Sequence, residues 1–193
     1  MQHLITPYSR KIEPFVWWEN EFTEGELNAL REKARAATEP AYIGTNNYAS
    51  INKDARRSNV SWMNNTPENN WVFKKLAHVG AALNAQYYDF DLTGFGEPLQ
   101  LTTYDSEYQG MFRWHQDFGA NVSRKLSMVM QLSDPADYEG GDLELFSPDN
   151  PIKIKKQRGL IAVFPSWAFH QVTPVTKGNR QSLVAWISGP NFK

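Results

Sequence analysis

The chain has 193 residues, with 20 Lys and Arg against 21 Asp and Glu and no cysteine. That length suits a single domain, residues 1–193, able to bury most of its apolar surface without covalent staples. A formal charge of -1 leaves no footprint for bulk nucleic-acid binding, and zero cysteines exclude disulfides and thiolate metal sites. Any metal must be bound through histidine and carboxylate. Met1-Gln2-His3-Leu4-Ile5-Thr6-Pro7 lacks the basic region and apolar run of a signal peptide, and no segment approaches a membrane span. The expectation is a soluble cytoplasmic protein; the sequence leaves its oligomeric state open.

Thr23-Glu24-Gly25-Glu26 has the form of a capping box, and Leu27, Leu30 and Ala34 follow at helical spacing, which predicts a helix over 23–37. A second helix is predicted from Thr66 as N-cap and Pro67 at the first helical position, through Trp71, Val72, Leu76, Val79 and Leu83, with Asn84 ending it. Short β-rich runs dominate the rest: 59–63, 86–92, 99–104, 111–116, 126–132, 142–146, 152–155, 160–164, 168–172 and 181–187. Turn signals separate them at Asp134-Pro135, Gly140-Gly141, Pro148-Asp149-Asn150 and Lys177-Gly178-Asn179. Many short strands with such punctuation predict a mainly β sandwich or barrel, with helices bracing the sheet from outside. The basic run Lys153-Ile154-Lys155-Lys156-Gln157-Arg158 reads as a solvated strand edge and turn.

His115-Gln116-Asp117 and His170 carry the chemistry. Both histidines lie on or next to predicted strands, where residues two apart face the same way, so His115 and Asp117 present their ligand atoms on one side. A third ligand, His170, completes one face of a metal. Two imidazoles and one carboxylate with the other positions open suit nonhaem Fe(II) and oxygen. Each residue also has a bland alternative: a core histidine beside Trp114, a turn aspartate before Phe118-Gly119, an ordinary strand histidine, and for Arg180 a solvated flank of a turn. Their joint spacing favours the site. Trp114 should point to the opposite face from His115 and pack behind the metal.

From about Arg56 to Pro190 the sequence resembles the Fe(II)- and 2-oxoglutarate-dependent dioxygenases, and within them the prolyl 4-hydroxylase type. The likeness is densest from His170 to Ser182, with Gly140-Gly141-Asp142-Leu143 and Phe164-Pro165-Ser166-Trp167 as further signatures. The resemblance implies a distorted double-stranded β-helix, or jelly roll, with helical support over about 1–90 and a metal-binding core over about 97–190. It implies His115, Asp117 and His170 as ligands of Fe(II), with 2-oxoglutarate and O2 as cosubstrates. Arg180, ten residues after His170, is then the grip on the remote carboxylate of 2-oxoglutarate, matching it with parallel donors, and Ser182 adds a hydroxyl. Tyr104 resembles the tyrosine lining the cosubstrate pocket, with Tyr108 as its rival because the linker to His115 is longer than usual. Gln131 stands where some relatives place another cosubstrate-contacting tyrosine.

The implied reaction is hydroxylation of a C–H bond coupled to conversion of 2-oxoglutarate to succinate and carbon dioxide. The leading substrate is a peptide or protein, by family analogy; a free amino acid or other small metabolite is the alternative. A linear peptide calls for an open groove, a small metabolite for a closed pocket with its own charged anchor. A non-enzymatic jelly-roll binding module with a vestigial metal site is the reading from a different class. Residues 43–54 resemble a loop that folds over substrate in the family, and 118–122 follow the metal strand.

Overall fold

The computed structural model describes residues 12–43, 50–119 and 123–191. Among these, β1 (Val16–Trp18), α1 (Glu24–Arg35), β2 (Glu39–Pro40), β3 (Arg56–Arg57), β4 (Asn59–Met63) and α2 (Asn70–Leu83) come first in the chain. They are followed by β5 (Gly94–Phe95), β6 (Leu99–Asp105), β7 (Met111–His115), β8 (Arg124–Gln131), β9 (Tyr138–Gly140), β10 (Leu143–Leu145), β11 (Ile152–Lys153), β12 (Ile161–Pro165), β13 (His170–Val172) and β14 (Val175–Ser188). The main sheet runs β1-β12-β8-β14-β6-β4-β2, and β5 and β9 also pair with β14. The second runs β11-β10-β13-β7-β3. These two antiparallel sheets are the jelly roll expected from the sequence. The N-terminal part supplies strands to both of them in addition to its helices.

Period-two alternation decides what each face of the main sheet buries. Leu126, Met128 and Met130 of β8, Leu183, Ala185 and Ile187 of β14, and Leu99 and Leu101 of β6 join one core with α1 and α2. Their neighbours on the other face, among them Val129, Val184 and Tyr104, meet Leu143, Leu145 and Val172 of the second sheet. One face is therefore largely apolar under the helices, with Thr103 and Gln181 as its polar contacts to α1, while the other mixes apolar packing with the polar residues of a cavity.

Both helices turn their apolar stripe onto that sheet. In α1 the capping box forms as expected: Glu26 N–H reaches Thr23 Oγ1 at 3.3 Å and Thr23 N–H reaches Glu26 Oε2 at 2.7 Å. Leu27, Leu30 and Ala34 are buried, and the Thr103 hydroxyl donates to the Ala34 carbonyl at 2.7 Å, tying the helix end to β6. In α2, Gly80 lets the helix sit directly on β14, since a Cβ there would overlap Ile187 Cδ1.

Four local expectations need correction. The helix predicted from Thr66 starts at Asn70: Thr66 accepts from Asn70 N–H at 2.8 Å through its carbonyl, as the first residue of a turn that leads into α2. The strand predicted over 86–92 is a continuation of α2 as a π-helix, Asn84–Tyr88, followed by irregular chain. There the Asn84 side chain hooks both ends of the turn, accepting from Phe90 N–H at 3.0 Å and donating to Phe90 O at 2.9 Å. Lys177-Gly178-Asn179 lies inside β14 rather than in a turn, with Gly178 at φ 67° where the strand passes β9 too closely for a side chain. Trp114 does face away from His115, but it is 36% exposed on the outer surface, edge-on to an exposed Phe146.

The basic run is locally neutralised: Lys153 and Lys156 pair with Asp142, and Arg158 reaches Glu24 and Asn28. Among the described residues no helix is long and apolar enough to cross a membrane.

Candidate active site

β7 and β13 are neighbours in the second sheet, and their register sets His115 directly opposite His170. Asp117 follows two residues after His115, where the chain leaves β7 and its N–H donates to Ser166 O at 2.9 Å. The sequence-predicted triad therefore converges: the ligand atoms of His115, Asp117 and His170 lie within 4.8 Å of one another. His115 Nε2 is 3.8 Å from Asp117 Oδ1, and His170 Nε2 is 3.6 Å from Asp117 Oδ2.

The tautomers follow from the partners. His115 Nδ1 is 2.7 Å from the Arg113 carbonyl and His170 Nδ1 is 2.9 Å from the Ala168 carbonyl. A carbonyl only accepts, so each Nδ1 donates a proton and each Nε2 is turned toward Asp117. Burial, then the electrostatic influence of the adjoining His170 ring, depresses the His115 pKa to about 3, which keeps this imidazole neutral as a metal requires. Burial pushes the Asp117 carboxyl up, but His170, His115 and the Ser127 hydroxyl more than offset it, leaving a carboxylate below its ordinary range. Ser127 Oγ donates to Asp117 Oδ2 at 2.6 Å and lies 3.1 Å from Ser166 Oγ, which fixes the carboxylate's rotation from behind. This donor set, two imidazoles with Nε2 turned inward and an oriented carboxylate, fits a divalent first-row metal with open positions.

A cavity of about 390 Å³ opens from the triad between the two sheets; Tyr104, Arg180, Ser182 and Trp186 are among its lining residues. Arg180 is 1% exposed and belongs to β14, directly paired with Tyr104 of β6. Its Nη2 donates to Gln131 Oε1 at 3.0 Å and its Nη1 reaches Ser182 Oγ at 3.4 Å, while its buried Nε has no hydrogen-bond partner. A buried guanidinium surrounded by neutral acceptors and facing a cavity is suited to an anion. Tyr104 lies against it, with Arg180 Cζ 5.3 Å from the ring centre, whereas Tyr108 bonds back to the Thr103 carbonyl at 3.4 Å. Gln131 touches Arg180 and orients it from behind rather than lining the cavity. Gly141 makes room for the arginine stem: at φ 61°, a Cβ there would stand 3.0 Å from Arg180 Cδ.

Sequence reasoning missed Ser127, Arg56 and Trp186. Ser127 is one polar residue in an apolar strand, which is a signal that could have been read. Arg56 carries no sequence signal of its own: its burial depends on the two-residue strand β3 docking on β7, which leaves no periodicity to detect. Residues 44–49 of the loop expected to fold over substrate, and 120–122 of the segment after the metal strand, lie outside the described residues, and the flanks Tyr42, Ile43 and Phe118 line the cavity.

A family profile described as the 2OG-Fe(II) oxygenase superfamily matches residues 99–188. A PKHD-type hydroxylase of Shewanella sp. (strain ANA-3) is 30% identical over 184 residues, which cover 87% of this chain and 75% of that protein. Among solved structures, a Pseudomonas putida prolyl-4-hydroxylase superposes with a TM-score of 0.70 at 19% identity, covering 92% of this chain and 94% of the other. A Trichoplax adhaerens prolyl hydroxylase, in complex with a hypoxia inducible factor oxygen degradation domain peptide fragment, gives 0.75 at 15% identity, covering 91% and 84%.

Proposed function

The chain belongs to the 2OG-Fe(II) oxygenase superfamily, of the prolyl 4-hydroxylase type, and from that premise we propose that it hydroxylates a peptidyl or protein substrate at the His115, Asp117 and His170 centre. Family members use Fe(II), 2-oxoglutarate and O2, which together supply the oxidant that puts a hydroxyl on an unactivated C–H bond. The chain's own residues hold and orient. His115 Nε2, His170 Nε2 and one Asp117 oxygen hold the metal, with the Nδ1 carbonyl bonds and Ser127 keeping the three in place. Arg180 and Ser182 grip the far carboxylate of 2-oxoglutarate, Gln131 aims the guanidinium, and Tyr104 closes the side of that pocket. Burial of this end excludes water and strengthens the carboxylate contact. Residues 1–193 act as one oxygenase domain.

The observation that carries this assignment is the pair of Nδ1 hydrogen bonds, which turn both imidazole Nε2 lone pairs onto a single carboxylate. A peptide substrate is supported by the solved Trichoplax relative with its bound peptide fragment. The test is anaerobic binding of Fe(II) and 2-oxoglutarate followed by oxygen-dependent succinate formation. Folded protein that binds neither would refute the assignment of these residues. Mass spectrometry of candidate peptides and amino acids, seeking the gain of one oxygen, then identifies the substrate.

A further inference from the structure

Arg56 is a buried cation that the chemistry above leaves unused. It is 9% exposed, and its hydrogen bonds go to neutral acceptors: Nε to Ser58 Oγ at 2.8 Å and Nη2 to Gln100 Oε1 at 2.9 Å. Its guanidinium lies 4.5 Å from the Phe112 ring centre, and Phe112 stacks on His115 at 3.5 Å, so Arg56 is one ring removed from the metal triad and lines the same cavity. All 21 acidic side chains of the protein fall among the described residues, and none makes an ion pair with Arg56. Burial accordingly pulls its pKa down, with Tyr104 and Asp117 acting against that pull. Arg124, also on the cavity wall, is different: Glu97 takes it with two bonds of 2.6 and 2.7 Å.

The strand positions that anchor Arg56 and Arg180 differ, although the Arg56 guanidinium also meets the Tyr104 side chain. Its head is fixed at Gln100, which pairs with Val184, whereas Arg180 pairs with Tyr104. These levels are four positions apart along β6, about 13 Å of strand. The four carbon–carbon bonds of 2-oxoglutarate span at most about 6 Å. A diacid gripped at Arg180 with its near end on the metal leaves Arg56 without a counter-charge. Arg56, Arg180 and a divalent metal bring four positive charges, against three negative ones from Asp117 and the 2-oxoglutarate dianion, and Glu39 at the rim is exposed. The excess is what one more carboxylate would cancel. Trp62 and Trp186, with ring centres 6.3 Å apart, form an apolar wall of the same cavity.

We propose that Arg56 anchors a carboxylate of the substrate, so that this enzyme selects substrates with an acidic group close to the hydroxylated carbon. The proposal rests on the oxygenase reading of the site. The carboxylate belongs either to an acidic residue beside the target in a peptide or to a free amino acid, and the experiment separates the two.

Protein loaded anaerobically with Mn(II) and 2-oxoglutarate is titrated with L-proline, L-prolinamide, acetyl-Ala-Pro-Asp-amide and acetyl-Ala-Pro-Asn-amide, with tryptophan fluorescence as the readout. In one of the two pairs the carboxylate should bind at least about tenfold more tightly than its amide, and that pair identifies the source. Arg56→Gln should bring the ratio to within about twofold, and Arg56→Lys should keep part of it. Equal affinities within both pairs, or no binding of either carboxylate, overturn the proposal. So does an Arg56→Gln protein that loses 2-oxoglutarate affinity as severely as Arg180→Ala, because Arg56 would then serve the cosubstrate. A wild-type protein that fails to bind 2-oxoglutarate with Mn(II) fails the oxygenase assignment itself, and this is measured before any probe is added.

Discussion

Ser127→Ala isolates the support of a metal ligand from the ligand itself. The Ser127 hydroxyl is fully buried and donates to Asp117 Oδ2 at 2.6 Å, so the substitution removes a short hydrogen bond to a charged group and leaves the strand intact. Such a bond contributes about 1.5–3 kcal/mol net, which at about 1.4 kcal/mol per decade is roughly 10- to 150-fold in affinity. The lower half of that range is expected, because Asp117 keeps its backbone tie to Ser166 and its attraction to both histidines. Without the hydroxyl the carboxyl titrates closer to its ordinary range, so relative to wild type metal binding should weaken more at pH 4.5 than at pH 7.5. The assay is anaerobic titration with Mn(II) in saturating 2-oxoglutarate at both pH values, with circular dichroism to verify folding. Affinity within twofold of wild type at both would refute the claim that Ser127 orients the ligand.

Arg180→Ala should weaken 2-oxoglutarate binding by at least about 100-fold with metal affinity changed less than about fivefold, whereas His170→Ala should impair both; equal, small effects in paired titrations would contradict the roles. Gly141→Ala should raise KM for 2-oxoglutarate by about tenfold, because its Cβ would crowd both Arg180 Cδ and Val175 Cγ2 in a left-handed backbone, and steady-state kinetics read this directly. Gly80→Ala, which presses on Ile187, should cost about 1–3 kcal/mol in urea unfolding with 2-oxoglutarate affinity unchanged. The metal-free protein should lose stability as pH falls from about 6.5 toward 3. His115 stays neutral when folded, with a pKa of about 3, while the unfolded chain takes up the proton. Urea midpoints at pH 7 and pH 5 measure this, and the contribution is absent above about pH 6.5, where both states are neutral.

The strands that carry the site were legible because their patterns were strong. Ile161–Pro165 is an apolar run and Arg124–Gln131 has an apolar stretch from Leu126 to Met130 broken only by Ser127, and the two-residue spacing of His115 and Asp117 aims both at one side although Asp117 lies just past the end of β7. Arg180 and Ser182 share a face for the same reason, and the structure brings Arg180 to the cavity that the triad also lines. What failed depended on contacts distant in sequence. The aromatic content of 86–90 favours strand locally, yet the Asn84 hook and the burial of Tyr88, whose hydroxyl reaches the Val163 carbonyl at 3.1 Å, win the segment for a π-helix. Gly178 looked like a turn because nothing local reveals that β9 passes alongside. Arginine is usually solvated, and only the docking of β3 on β7 buries Arg56.

The most direct measurement is a crystal structure of the protein grown anaerobically with Mn(II) and 2-oxoglutarate. The account predicts the metal about 2.0–2.3 Å from His115 Nε2, His170 Nε2 and an Asp117 oxygen, with the far carboxylate of 2-oxoglutarate against Arg180 and Ser182. A metal bound elsewhere, or that carboxylate turned to Arg56, would contradict it.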